Sequence, residues 1–122
     1  MYLYLSNSES PDSFRVRIPG SVDITGEIGL SEIYFEFNSN IEFFDVCCDI
    51  CESSVVESWE PYPVLRRIHA LKRKEYIQFD PIYYIPVLKG KPYEIKIYLR
   101  SVQSNSPSVD LKSLSCTLHQ KP

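Results

Sequence analysis

The sequence lacks the short motifs by which many enzymes are recognised. It contains no GxSxG, no HExxH and no glycine-rich phosphate-binding loop, and only four glycines occur among its 122 residues. No apolar run approaches the ~20 residues that a transmembrane helix needs, and no basic leader opens the chain at MYLYLSNSES. We therefore expect a protein that is not an enzyme, does not span a membrane and is not secreted by a signal peptide.

What is present is typical of a β-rich module. Aromatic residues make up 13% of the chain and include nine tyrosines, which favours sheet over helix. The length indicates one domain, residues 1–122. FRVRIPG and YEIKIYLRS alternate apolar and polar residues, and VLRRIHAL fits a short strand better than a helical turn. About eight strands separated by turn signals predict an all-β antiparallel sandwich, a single jelly roll, with an immunoglobulin-like sandwich as the alternative.

Four cysteines raise the question of a metal, a disulfide or a catalytic thiol. In FFDVCCDICESS the strand phase puts Cys48 in the core, and it puts Cys47 and Cys51 on the opposite face with Asp45 and Asp49. We expect that face to be solvated. Without a second cysteine pair the spacing is not that of a structural zinc site, and the expected reducing compartment disfavours disulfides. The cysteines thus predict no metal, no cofactor and no catalytic residue, with zinc binding or a catalytic thiol as the minor alternatives.

The least regular segment supplies candidate interaction residues. It reads SSVVESWEPYPVLRRIHALKRKE, and aromatic residues with arginines are the types that most often anchor interfaces. Two tyrosines between prolines in PIYYIP form a second candidate patch, for which burial in the core is an equal alternative. The candidate interface residues are Trp59, Tyr62, Arg66, Arg67, Tyr83 and Tyr84.

Charge is divided unevenly along the chain. Residues 1–60 carry twelve acids and two arginines, net −10, whereas residues 61–122 carry eleven bases and four acids, net +7. This polarity complements head-to-tail contacts between identical subunits, although strands interleaved in one sandwich are its commoner cause. Lys72, Arg73 and Lys74 form a candidate basic patch. A solvated hairpin tip is the usual meaning of such a run, and we do not expect nucleic-acid binding because no stacking aromatics interleave with it.

Several short motifs follow one another along nearly the whole chain: LYLSNS, ITGEIGLSEI, PVLRRI, FDPIYYIPV and YEIKIYLRS. In this order they resemble a family of short proteins encoded by Polinton/Maverick elements and adintovirus-like viruses. The turn after Asn7 and the loop VQSNSPSVD depart from the family's pattern. The positions that match its motifs are Leu5, Ser6, Asn7, Gly26, Gly29, Leu30, Glu32, Ile33, Asp49, Pro63, Val64, Leu65, Arg66, Phe79, Pro81, Tyr84, Pro86 and Val87.

The resemblance implies a structural protein of a virion, a penton-type minor capsid subunit with a single jelly roll. It further implies a homo-oligomer such as a pentameric ring, other capsid proteins as partners, and assembly in the host cytoplasm or nucleus. From the residues alone two other functions stay open. One is a non-catalytic jelly-roll module that binds protein or sugar, and the other is a nucleic-acid-binding accessory protein.

Overall fold

The computed structural model describes residues 1–6, 13–20, 22–88, 90, 93–102 and 111–121, with only the backbone at positions 13 and 14. The turns predicted at SNSESPDS, KGKP and VQSNSPS lie largely outside these residues. Within the described part the chain forms eleven strands: β1 Tyr2–Ser6, β2 Ser13–Arg17, β3 Glu27–Phe37, β4 Phe43–Cys48, β5 Val55–Glu57, β6 Glu60–Tyr62, β7 Val64–His69, β8 Lys74–Gln78, β9 Tyr84–Pro86, β10 Glu94–Ser101 and β11 Leu111–Lys121.

Eight of these strands form two four-stranded antiparallel arrays. One sheet has the order β1-β11-β3-β8, and β9 pairs with β3 on the same edge as β8. The other sheet has the order β2-β10-β4-β7, while β5 and β6 pair only with each other. The predicted all-β antiparallel sandwich is confirmed at this level, and VLRRIH forms the predicted strand β7.

The core lies between the two sheets because each strand turns one set of alternate side chains inward. Ile95, Ile97 and Leu99 of β10 are buried, as the alternation in YEIKIYLRS predicts. Phe35 and Phe44 come from opposite sheets and meet edge to face, with ring centroids 5.1 Å apart. These contacts join the two sheets into one hydrophobic cluster.

A bulge in β3 brings two runs of apolar residues, which are out of phase by one position, onto the same buried face. Thr117 of β11 is opposite Glu32, whereas Leu118 is opposite Leu30, so Ser31 is the extra residue. Ile28 and Leu30 before the bulge, and Ile33, Phe35 and Phe37 after it, can therefore all point inward and are all buried. Neither nearby glycine is the extra residue: Gly26 precedes the strand with φ at 77°, and Gly29 lies within it.

Gly29 lies where the chain before β9 passes closest to β3. A Cβ atom at this position would overlap the carbonyl oxygen of Tyr83 and the side chain of Ile82. Only glycine allows this close approach, because any larger residue forces the 82–86 segment away from the sheet edge.

We expect Gly29→Ala to lower the free energy of unfolding by about 1–3 kcal/mol, since the added methyl overpacks a backbone contact. Gly20→Ala is the matched control, because no atom lies within 4 Å of the Cβ position there. Urea unfolding of both variants measures the difference. Equal stabilities would show that the 82–86 segment moves aside without cost.

Candidate functional site

A short hairpin, β5–β6, leaves the body of the sandwich between β4 and β7. Its root is held by backbone bonds: the Ser54 N–H donates to the Tyr62 carbonyl at 3.0 Å, and the Cys48 N–H donates to the Pro63 carbonyl at 3.0 Å. The Ser54 hydroxyl also donates to the Val64 carbonyl at 2.6 Å and accepts from the Val64 N–H at 3.0 Å. These bonds fix the position of the hairpin relative to both strands.

The tip of the hairpin is a two-residue turn that presents a tryptophan to solvent. Ser58 and Trp59 have φ of 52° and 66°, the left-handed pair of a type I′ turn. Glycine and asparagine are the residues that usually occupy such positions, so the turn carries backbone strain. Trp59 is 96% exposed. The sequence predicted that two prolines bar this segment from a central strand, and the hairpin indeed pairs with neither sheet.

Four charged side chains fasten the hairpin to the outer face of the β2-β10-β4-β7 sheet. The Asp45 carboxylate is fully buried and accepts two bonds from Arg67, at 2.8 and 3.1 Å, and one from Arg100 at 2.9 Å. Glu57 of the hairpin bridges the same two arginines, at 3.2 and 3.0 Å. Tyr62 completes the cluster, since the Arg100 guanidinium lies 3.8 Å from its ring centroid.

The strand register explains why these charges meet. Asp45 is directly opposite Arg67 on β7 and directly opposite Arg100 on β10, so the carboxylate lies between two guanidinium groups. The hydrogen bond from Arg100 is the largest contribution that lowers the pKa of Glu57 below its ordinary value. Two acids and two arginines make the cluster electrically neutral, so the contact between the hairpin and the sheet leaves little uncompensated charge.

One face of β4 that the sequence predicted to be solvated is largely buried. That prediction was wrong for Asp45 and for Cys47, whose exposure is zero. The two arginines that Glu57 of the hairpin bridges bind the Asp45 carboxylate, and Cys47 lies beside Asp45 and Tyr98. Burial and the nearby Asp45 charge raise the pKa of the Cys47 thiol to about 12. Asp49 is exposed as expected, whereas Cys51 is buried. Cys48 lies in the core as predicted, and all four cysteines are free thiols.

The remaining predicted interface residues lie at the open edge between the two sheets. The Arg66 guanidinium is stacked between Phe79, 4.3 Å away, and Tyr83, 3.8 Å away, and it donates to the Pro81 carbonyl at 3.0 Å. Arg66 therefore has an intramolecular role as a clamp between β7 and the segment after β8. Tyr83 stays 55% exposed on the outer side of this clamp.

Tyr84 belongs to a third group of contacts rather than to a patch with Tyr83. Its hydroxyl lies 2.7 Å from Nδ1 of His119, and the ammonium of Lys121 lies 4.6 Å from its ring centroid. His119 also packs on Tyr2, with centroids 4.6 Å apart. Thus the two adjacent tyrosines point to different neighbours, and neither belongs to the hydrophobic core.

The predicted basic patch lies in the exposed turn between β7 and β8 and includes Lys74, the first residue of β8. Lys72, Arg73 and Lys74 are all exposed, and Leu71 beside them is 75% exposed. Glu75 orders the loop, since its carboxylate accepts the N–H groups of Leu71 and Lys72 at 2.6 Å each. This end of β7 is the far end from the hairpin root, because Phe43 is opposite His69 and Cys47 is opposite Val64.

The sequence identified Trp59, Tyr62 and Arg67 but missed three members of the cluster around them: Asp45, Glu57 and Arg100. The sequence does contain a pattern indicating that this face of β4 is covered. The outward positions of β4 include Phe43 and Cys47 on either side of Asp45, and an outward face with two apolar residues in three is seldom left open to water.

We expect Asp45→Asn to lower the free energy of unfolding by about 3 kcal/mol, because it leaves two guanidinium groups facing a neutral amide. Breaking a buried ion pair typically costs about 3–5 kcal/mol. We expect the low end of that range because the Arg67 side chain is 43% exposed and partly solvated. Arg15→Gln is the control: it breaks the exposed Arg15–Glu94 pair and should leave the stability nearly unchanged. Urea unfolding tests both, and equal effects would contradict the structural role of the cluster.

We expect the thiols to resist modification while the protein is folded. Burial raises the pKa of Cys47 and of Cys116 to about 12 each, so only about one such thiol in ten thousand is ionised at pH 8. DTNB should react slowly with the native protein and rapidly with all four thiols in urea. Fast reaction of the native protein would contradict the burial of these thiols.

The described ranges contain neither a cluster of metal-ligand side chains nor a helix that could span a membrane. No group of three or more histidine, cysteine and acidic side chains there is arranged to hold a metal ion. In those ranges no helix has the length and the apolar character needed to cross a membrane. A scan against protein-family models and searches of curated proteins and of solved structures find no match to this chain.

Proposed function

We propose that this protein is a non-catalytic structural subunit that assembles with copies of itself, a penton-type minor capsid protein with a single jelly roll. The order of its strands supports the jelly roll. Counted along the chain, the eight strands of the two sheets pair first with eighth, second with seventh, third with sixth and fourth with fifth. This is the pairing expected when a chain folded in half is rolled into two sheets, an architecture common in viral capsids.

The observation that carries the assembly is the Trp59 hairpin. The hairpin exposes two apolar side chains, Trp59 at 96% and Val56 at 67%, and tryptophan is among the residues most often found at the centre of interfaces. The ion cluster beneath the hairpin orders it before any partner arrives. Such preorganisation lowers the entropy that binding must otherwise overcome.

A second copy offers a complementary surface. Apart from Glu57, whose charge the two arginines balance, the segment 49–62 that contains the hairpin carries three acids and no base. It also exposes Val56 in the same hairpin as Trp59. The loop after β7 carries the opposite charge around an exposed leucine, Leu71. The two surfaces lie on different parts of the molecule, so a contact between them joins two copies head to tail. Repeated contacts of this kind form closed rings when the rotation closes.

Arg66 and Arg67 are not the bases proposed to meet the acidic hairpin of a second copy. Their place in the sequence makes them natural partners for an acidic neighbour, but in the structure both have partners within the chain. Reversing their charge would break the edge clamp and the ion cluster, and would thus affect folding as well as assembly. The lysines and arginine at 72–74 are exposed and are therefore the better test.

Light scattering of the purified protein tests the proposal. We expect a discrete oligomer of five subunits at low salt that weakens at about 0.5 M salt, where exposed charges are screened. Trp59→Ala and Lys72→Glu should each shift the protein toward monomer. Tyr93→Ala and Arg17→Glu are the matched controls, because they remove an exposed aromatic ring and reverse an exposed positive charge elsewhere on the molecule.

A charge swap sharpens the result. Glu60→Lys combined with Lys72→Glu should restore the oligomer that either change alone weakens, because the attraction between the two surfaces is reversed rather than lost. A monomer under all conditions would overturn self-assembly. An oligomer that is indifferent to Trp59→Ala and to Lys72→Glu would retain the structural subunit but overturn this pair of surfaces.

A further inference from the structure

The outer face of the β1-β11-β3-β8 sheet carries a groove that the proposed assembly does not use. Its volume is about 260 Å³. Tyrosine is the commonest residue in its lining, which also contains one carboxylate and two hydroxyl side chains. The lining residues are Tyr4, Glu32, Ile33, Tyr34, Tyr76, Ser115, Cys116 and Thr117.

The strand register shows how the groove is built. β11 runs along its middle with the small residues Ser115 and Thr117, while Tyr4 on β1 is opposite Thr117. On the other side of β11, Glu32 is opposite Thr117 and Tyr34 is opposite Ser115. Large side chains thus stand on strands to either side of small ones, about 10 Å apart across two strand spacings. The groove is therefore a consequence of side-chain size along three neighbouring strands.

The carboxylate in this groove carries a charge that no base in the described part of the chain cancels. Glu32 accepts hydrogen bonds from the Tyr76 hydroxyl and from the Thr117 hydroxyl, the latter at 2.9 Å, and both donors are neutral. These two bonds, with that of Tyr76 the larger contribution, hold the pKa of Glu32 below its ordinary value. Among the described residues Glu32 makes no ion pair. Glu36 lies four residues further along β3 on the same face, and its Oε2 is 3.7 Å from Nζ of Lys112.

We propose that this groove binds a cationic alkylammonium group. A positive charge is attracted by the fixed carboxylate and by tyrosine rings, whose faces are electron-rich. An anion would be repelled by Glu32, and a neutral apolar group would desolvate the carboxylate without replacing its lost hydration. Charge complementarity together with the aromatic lining therefore selects an ammonium ion, and methylated ammonium groups fit best because they combine positive charge with apolar surface.

Choline is the probe, and 3,3-dimethyl-1-butanol is its neutral isostere of the same shape. We expect choline to cause saturable shifts of the backbone amide resonances of residues 32–34 and 115–117 in a two-dimensional NMR titration, with a millimolar dissociation constant. The neutral isostere should bind roughly fivefold more weakly or not at all, because only the charge differs.

Two conservative variants locate the charge. Glu32→Gln keeps the shape and the hydrogen-bond acceptor, and it should weaken choline binding roughly fivefold or more. Glu36→Gln is the matched control on the same face, and it should leave the affinity unchanged. Tyr34→Ala provides an independent test of the aromatic lining, and the NMR spectrum of each variant verifies its fold.

Three outcomes would overturn the proposal. The first is the absence of saturable shifts with choline, and the second is equal affinity for choline and its neutral isostere. The third is unchanged affinity in Glu32→Gln. Because the titration reads binding at one groove of the folded chain, its result does not depend on whether the protein assembles.

Discussion

A single buried carboxylate, that of Asp45, governs the arrangement of this molecule's most exposed feature. An ionised carboxylate is costly to remove from water unless charged partners and hydrogen bonds replace its hydration. Arg67 and Arg100 supply both, since they are opposite Asp45 on the two neighbouring strands. Two arginines against one acid would leave an excess positive charge, and Glu57 removes it by bringing the hairpin over the sheet. The position of the hairpin is thus a consequence of charge balance.

The two outer faces of the sandwich consequently have different characters. The outer face of the β2-β10-β4-β7 sheet carries the hairpin at the Asp45 cluster, and both the Asp45 carboxylate and the Cys47 thiol on this face are buried. The face of the opposite sheet is open, with a tyrosine-lined groove and the carboxylate of Glu32 accessible within it. One face projects an exposed aromatic tip, and the other carries an open groove. A molecule with two such different faces can make a polar, head-to-tail contact and still leave one surface free for another ligand.

Much of the fold could be predicted because local pattern and burial agree. YEIKIYLRS alternates with period two, and β10 buries Ile95, Ile97 and Leu99 as this alternation predicts. Tyr93, which the same alternation places inward, precedes the strand and is 75% exposed. The placement of Cys48 in the core follows from the same period. The buried residues of β3 are harder to predict, because the bulge at Ser31 shifts the alternation by one residue. A bulge depends on the register of the neighbouring strand, which is a long-range property, and local alternation does not contain it.

The sequence by itself determined the all-β class, the single antiparallel sandwich and the residue types that a surface contact would use. Only the tertiary structure decided which of those residues are free. Trp59 and Arg67 lie eight positions apart in one irregular segment, yet one projects into water and the other binds Asp45, which lies 22 positions earlier in the chain. Arg66 and Tyr83 likewise look like independent surface residues until folding stacks them. The physical reason is that an arginine's role is set by the charges and rings within a few ångströms of it, and in a sheet those neighbours come from distant strands.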